Sequence, residues 1–157
     1  MTDLFFVIVG EGAYRRELER MIGELQLEAH VRLAGAKPHA ELKHWYSAAD
    51  YFCLASEREG WPNVVLEALA CGTPVIATKV WGIPEIITSE ELGLLTNRKE
   101  EDLAQTLAAA MSKSWRRETL VQYARERTWE NVAQQVERTF EMACVNFAPA
   151  GLAIPQK

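Results

Sequence analysis

The chain has few of the residues that build metal centres and disulfide frameworks. Among its 157 residues there are only three cysteines and three histidines. Cys53, Cys71 and Cys144 are an odd set that cannot pair completely, and no Cys-x-x-Cys spacing occurs, which sets a zinc site aside. Cys71 reads as a small packing residue rather than a nucleophile. His30, His39 and His44 have no metal-ligand spacing and read as surface or capping residues. A sequence this poor in cysteine fits a reducing compartment. It also shows no signal-peptide pattern and no apolar run long enough to span a bilayer. The expected location is cytoplasmic, either free or peripheral at the inner face of a membrane. Positive charge is in deficit as well: 17 Lys and Arg against 22 Asp and Glu give a net charge of −5. That balance argues against nucleic acid as a partner. The pairs Arg15-Arg16 and Arg116-Arg117 fall in helical patterns and read as solvated faces.

What is present is the ordinary apolar and charged content of a soluble globular domain. There is no internal repeat and no low-complexity linker. The apolar run Leu4–Val9 reads as a fully buried strand. Ala13–Leu27 follows as an amphipathic helix with Leu18, Met21, Ile22 and Leu25 on one face. Val31–Ala34, closed by Gly35, is a short strand, and Ala40–Ala49 is a helix with Leu42, Trp45 and Tyr46 inward. Tyr51–Ala55 is a strand, Val64–Ala70 a short apolar helix, and Val75–Ala77 another strand. Trp81-Gly82-Ile83-Pro84 reads as a loop and Leu92–Thr96 as a last strand. Glu100–Met111, Trp115–Arg127 and Trp129–Asn146 read as helices, with Thr128 a cap for the last. Residues 1–146 are thus one domain, and 147–157, with Pro149, Gly151 and Pro155, a disordered tail. Strands alternating with helices imply an α/β fold with a parallel sheet covered on both faces.

Two places invite a ligand. Gly10-Glu11-Gly12 follows a strand, but the third glycine of a dinucleotide fingerprint would fall at Arg15 and is absent. The pair Gly10 and Gly12 is equally compatible with a tight turn and with a ligand loop. The second place carries more. Glu59 and Glu67 bracket the start of a helix, with Gly60 free to make a tight turn and Pro62 suited to the first helical turn. Spacing alone decides nothing, because Glu11/Glu19 and Glu118/Glu126 repeat it on surface helices. The strand, the Gly-Trp-Pro-Asn turn and the helix holding the second acid make the difference. An open helix N-terminus attracts anions, phosphate above all. Glu67 lies roughly 7–8 Å along the helix at about 1.5 Å per residue, and helical side chains lean back toward the N-terminus. Glu67 can therefore reach a hydroxyl beside a phosphate held by backbone N–H groups. Such a geometry suits a sugar nucleotide, with ribose at one carboxylate and hexose at the other.

At this point the residues resemble a family. Glu59-Gly60-Trp61-Pro62-Asn63-Val64-Val65-Leu66-Glu67-Ala68, followed by Ala70-Cys71-Gly72-Thr73-Pro74-Val75, is similar to the signature of the retaining GT-B glycosyltransferases called group 1. Weaker matches occur in the same order: Val9-Gly10-Glu11-Gly12, Val31-Arg32-Leu33-Ala34-Gly35, Tyr46-Ser47-Ala48-Ala49-Asp50, Gly82-Ile83-Pro84-Glu85-Ile86-Ile87, Gly93-Leu94-Leu95 and Thr128-Trp129-Glu130. The resemblance covers about Leu4 to Phe140 and is to the C-terminal, donor-binding domain. It implies a Rossmann-like sheet and transfer of a hexosyl group from a UDP- or GDP-sugar with retention, without a metal or other cofactor.

By the same resemblance Glu59 contacts the transferred sugar and Glu67 the ribose. Backbone around Asn63 and Val64 meets the diphosphate, and Gly35–Lys37 approaches the base. The usual aromatic-glycine after the first acid is here Trp61-Pro62-Asn63, which keeps the turn but alters contacts to the sugar. The family also implies an upstream acceptor domain and a first strand and helix with a cationic pair, none of which matches here. The chain therefore resembles a fragment. It is expected to be inactive alone, to self-associate, and to have an acceptor that the residues do not identify (saccharide, lipid or small molecule). A non-catalytic sugar-nucleotide-binding or interaction module is the alternative, and an inert fragment is the third reading.

Overall fold

Val75-Ile76-Ala77-Thr78 is a four-residue run with no charge and two β-branched residues ahead of Thr78, and in the computed structural model all four positions are buried. The structure describes residues 4–147. Its elements alternate: β1 Phe6–Val9, α1 Arg15–Glu24, β2 Val31–Gly35, α2 His39–Ala48, β3 Phe52–Leu54, α3 Asn63–Ala70, β4 Val75–Thr78, α4 Ile83–Ile86, β5 Gly93–Thr96, α5 Glu100–Ser112, α6 Arg117–Arg125 and α7 Trp129–Phe147. Every strand pairing is parallel. The predicted α/β class with parallel strands and flanking helices holds, but the strands form two sheets, β1-β2 and β3-β4-β5, rather than one. The chain divides into two units, the first ending at Trp45 and the second starting at Tyr46.

In the first unit β1 and β2 pair from Phe6 with Val31 to Val9 with Gly35, with an irregularity after Ile8. Gly10 N–H donates to Gly35 O at 3.0 Å and prolongs the pairing into the loop. The expectation that Leu4–Val9 is fully buried fails: Leu4 and Phe5 are 43% and 56% exposed, Phe6 and Val9 37% each. A parallel strand is buried when neighbours and helices cover it, and among the described residues β1 pairs with β2 alone. On α1, Arg15 binds Glu11 and Glu19, and Arg20 binds Glu17 and Glu24. These exposed pairs are screened by solvent and support the helix only weakly.

The second unit holds the core. β4 lies between β3 and β5, and α3 packs on β3 and β4, α5 on β4 and β5, and α6 on α3. Val65, Ala68 and Leu69 of α3, Val75, Ile76 and Ala77 of β4, and Leu120 of α6 are fully buried. Gly93 allows β5 to close on β4, because a Cβ there would lie 2.1 Å from Val75 O. Ile83 and Pro84, read as part of a loop from the sequence, open the short helix α4, in which Ile83 and Ile86 are buried. A four-residue helix is too short to display a helical period. α1 is shorter than its pattern suggests, ending at Glu24 with Gln26 at φ 55°. α7 extends through Phe147, and the expected disordered tail beyond it lies outside the described residues. None of the described helices is long and apolar enough to cross a membrane.

Candidate functional site

β3 ends at Leu54 and delivers the chain into the loop that carries Glu59. Two hydroxyls organise this loop. Thr78, 3% exposed at the end of β4, donates its Oγ1 hydrogen to Ser56 O at 2.6 Å. Ser56 Oγ in turn donates to Glu59 Oε1 at 2.6 Å. The core strand thus fixes the Ser56 backbone, and Ser56 fixes the half-buried Glu59 carboxylate. The other side of the loop meets Gly82. Its N–H lies 3.4 Å from Glu59 O, and a Cβ on Gly82 would sit 1.9 Å from Gly60 O. Gly60 itself has open space around its Cα. Trp61 is half exposed, and Trp81, at φ 42° immediately before Gly82, is 70% exposed.

α3 begins at Asn63, one residue earlier than its apolar pattern. Pro62 is the N-cap, with φ −74° and ψ 100°, rather than a residue of the first turn. Its fixed φ is compatible with that extended geometry. Pro62 O accepts from Val65 N at 3.0 Å. No side chain caps this end, and the first turn carries no acidic residue. The first helical N–H groups, those of Asn63 and Val64, therefore meet no capping side chain. The far end is closed by local geometry. Gly72 has φ 74°, Gly72 N–H donates to Leu69 O at 2.8 Å and Thr73 N–H to Ala68 O at 2.9 Å. That is the double hydrogen bond of a Schellman motif.

Glu67 is the fifth residue of α3 and half-buried. Its Oε2 accepts a hydrogen bond from Tyr46 Oη at 3.2 Å. Burial, and then the charge of Glu67 and this hydrogen bond, push the Tyr46 phenol far up, so it remains a protonated donor. Nearby Cys53 also has its thiol pushed up by burial, which makes it a poor nucleophile. Among the described residues, no three His, Cys, Asp or Glu side chains stand close enough to hold a metal ion.

The remaining candidates belong to the first unit. Gly10 has φ 143° and Gly35 φ 74°, so both need a glycine backbone. Gly12 lies in the same turn with open space around it. Glu11 Oε1 stands 2.9 Å from where a Gly35 Cβ would be, and it is bound by Arg15 at 2.6 Å. Lys37 Nζ lies 5.4 Å from the centre of the Trp45 ring. The structure thus gathers Glu59, Gly60, Trp61, Asn63, Val64 and Glu67 on one loop and helix, and Gly10, Gly12 and Gly35 around the ends of β1 and β2, with Lys37 two residues further along. Ser56, Thr78, Tyr46 and Gly82 are additions to which sequence patterns assigned no role at the site.

An α/β fold of parallel strands flanked by helices is the architecture of the GT-B glycosyltransferases. The chain belongs to the glycosyl transferases group 1 family, whose model matches residues 2–127. It is 34% identical over 137 residues to a D-inositol 3-phosphate glycosyltransferase of Kribbella flavida, covering 84% of this chain and 32% of that protein. Among solved structures, sucrose-phosphate synthase of Thermosynechococcus elongatus matches with TM-score 0.72 and 31% identity, over 89% of this chain and 38% of the other. HepE of Anabaena in complex with UDP matches with TM-score 0.75 and 25% identity, over 90% and 42%. The chain spans about a third of the length of the curated relatives it matches.

Proposed function

We propose that the segment from Ser56 to Glu67 is the donor site of a retaining hexosyltransferase that uses a UDP- or GDP-sugar. The carrying observation is the uncapped start of α3, flanked by two carboxylates that each receive a neighbouring hydroxyl. Backbone N–H groups of Asn63 and Val64 hold the diphosphate, aided by the helix dipole. Glu67 takes the ribose hydroxyls and Glu59 the hexose. In transfer, the bond from the anomeric carbon to the diphosphate oxygen breaks, the acceptor oxygen bonds the anomeric carbon on the same face, and the leaving diphosphate takes the acceptor's proton. The protein's main contribution is stabilisation of the charge that develops on that leaving group. HepE of Anabaena was solved with UDP, which supports a uridine nucleotide as donor carrier.

The acceptor is a saccharide, a lipid or a small molecule, and the setting is cytoplasmic. Because these residues span about a third of their relatives, they bind donor but carry out no transfer by themselves. Amide NMR during titration with UDP and with GDP tests the site. The expected result is shift changes centred on Asn63, Val64 and Glu67. Changes confined to α5–α7, or none with either nucleotide at millimolar concentration, contradict the proposal.

A further inference from the structure

Glu67 has a long side chain that must be held if it is to receive two hydroxyls of a ribose. Fixing a glutamate side chain costs rotamer freedom, and a site that has already met this cost binds more tightly. Tyr46 is built to hold it. It is 8% exposed, and its ring stands edge-on to Phe52 with centroids 5.3 Å apart and planes at 86°. Its carbonyl oxygen accepts from Thr73 Oγ1 at 2.7 Å. Tyr46 is therefore tied to the turn just beyond α3 through its backbone and to the body of α3 through its hydroxyl.

We infer that Tyr46 is a positioning residue for the donor nucleotide: its hydroxyl aims the Glu67 carboxylate at the ribose without touching ligand itself. The inference rests on the donor-site reading above. The phenol donates to the Glu67 carboxylate, and burial keeps its proton in place. A carboxylate offers about four acceptor positions, so one bond to Tyr46 is compatible with hydroxyls at the others. At 3.2 Å the contact is longer than the usual O–H···O range of about 2.5–3.0 Å. Such bonds tighten when ligand fills the site.

A double-mutant cycle tests this by calorimetric titration with UDP and GDP of the unmodified chain, Tyr46→Phe, Glu67→Gln and the double variant. Phe keeps the buried ring and its packing. The expected results are a loss of about three- to tenfold for Tyr46→Phe, about tenfold or more for Glu67→Gln, and a double variant no weaker than Glu67→Gln alone. A merely structural Tyr46 would instead add its loss to that of Glu67→Gln. Additive losses, or full affinity in Tyr46→Phe, overturn the inference while leaving the donor site standing. No binding of either nucleotide by the unmodified chain, or full affinity in Glu67→Gln, overturns the donor-site reading and this inference with it. If Tyr46→Phe fails to fold by circular dichroism, Glu67→Asp decides, since it keeps the charge but withdraws it from the phenol. Loss of about three- to tenfold is expected there too, and full affinity overturns the inference.

Discussion

Gly82 shows how tightly single residues are fitted around Glu59. A methyl group there has no room, since its nearest neighbour would be the carbonyl oxygen of Gly60 at 1.9 Å. That neighbour is backbone and cannot turn aside as a side chain would. Gly82→Ala is therefore expected to cost about 1–3 kcal/mol of stability, as overpacking does. It should also displace the Glu59–Gly60 turn. Urea unfolding checks the first effect, and an unchanged midpoint contradicts the fit. The acids themselves were legible in the sequence because their surroundings are local: a strand, a turn and a helix start within a dozen residues. The groups that orient them were only partly so. Ser56 reaches Glu59 over three residues, but Thr78 reaches Ser56 over 22 and Tyr46 reaches Glu67 over 21. Only folding brings those partners together, and in the sequence Tyr46 shows as an inward helical residue that opens a weak family match, with no link to Glu67.

At the scale of elements, α3 joins the core to the site. Its buried side, Val65, Ala68 and Leu69, seats it on β3, β4 and α6, while its N-terminal N–H groups meet the turn. Leu69→Ala is expected to destabilise the chain by about 2–5 kcal/mol, the range for emptying such a position. Thermal or denaturant unfolding measures it, and a loss below about 1 kcal/mol would place Leu69 outside a close-packed core. Cys71-Gly72 as the stop of α3 was readable, since glycine is the usual residue for the left-handed position after a helix. The helix α4 was not, because Ile83-Pro84-Glu85-Ile86 is shorter than two turns. The burial expected of β1 was wrong for a related reason. Apolar β-prone residues specify a strand, but how many neighbours that strand acquires is decided by pairing elsewhere in the chain.

At the scale of the whole molecule, the two sheets leave β1, β2, β3 and β5 with one paired edge each among the described residues. Apolar side chains also stand exposed on α7, Trp129 at 74%, Val132 at 40%, Val136 at 47% and Phe140 at 67%. Unpaired strand edges and exposed apolar surface both promote association. The chain is expected to self-associate in a concentration-dependent way by sedimentation, and a strict monomer across the accessible range contradicts this. Turnover of a UDP- or GDP-sugar by these residues alone, in the presence of acceptor sugars, would contradict the view that they carry only donor binding.

The central claim is that Glu67 serves the ribose and Glu59 the hexose. Calorimetric titration of Glu67→Ala and Glu59→Ala, each with free nucleotide and with the matching sugar nucleotide, tests it most directly. A charge-assisted hydrogen bond is worth roughly 1.5–3 kcal/mol. Glu67→Ala should therefore weaken both ligands by about tenfold or more, whereas Glu59→Ala should spare the free nucleotide and weaken only the sugar nucleotide. Equal losses of free-nucleotide affinity in the two variants would contradict the separate roles.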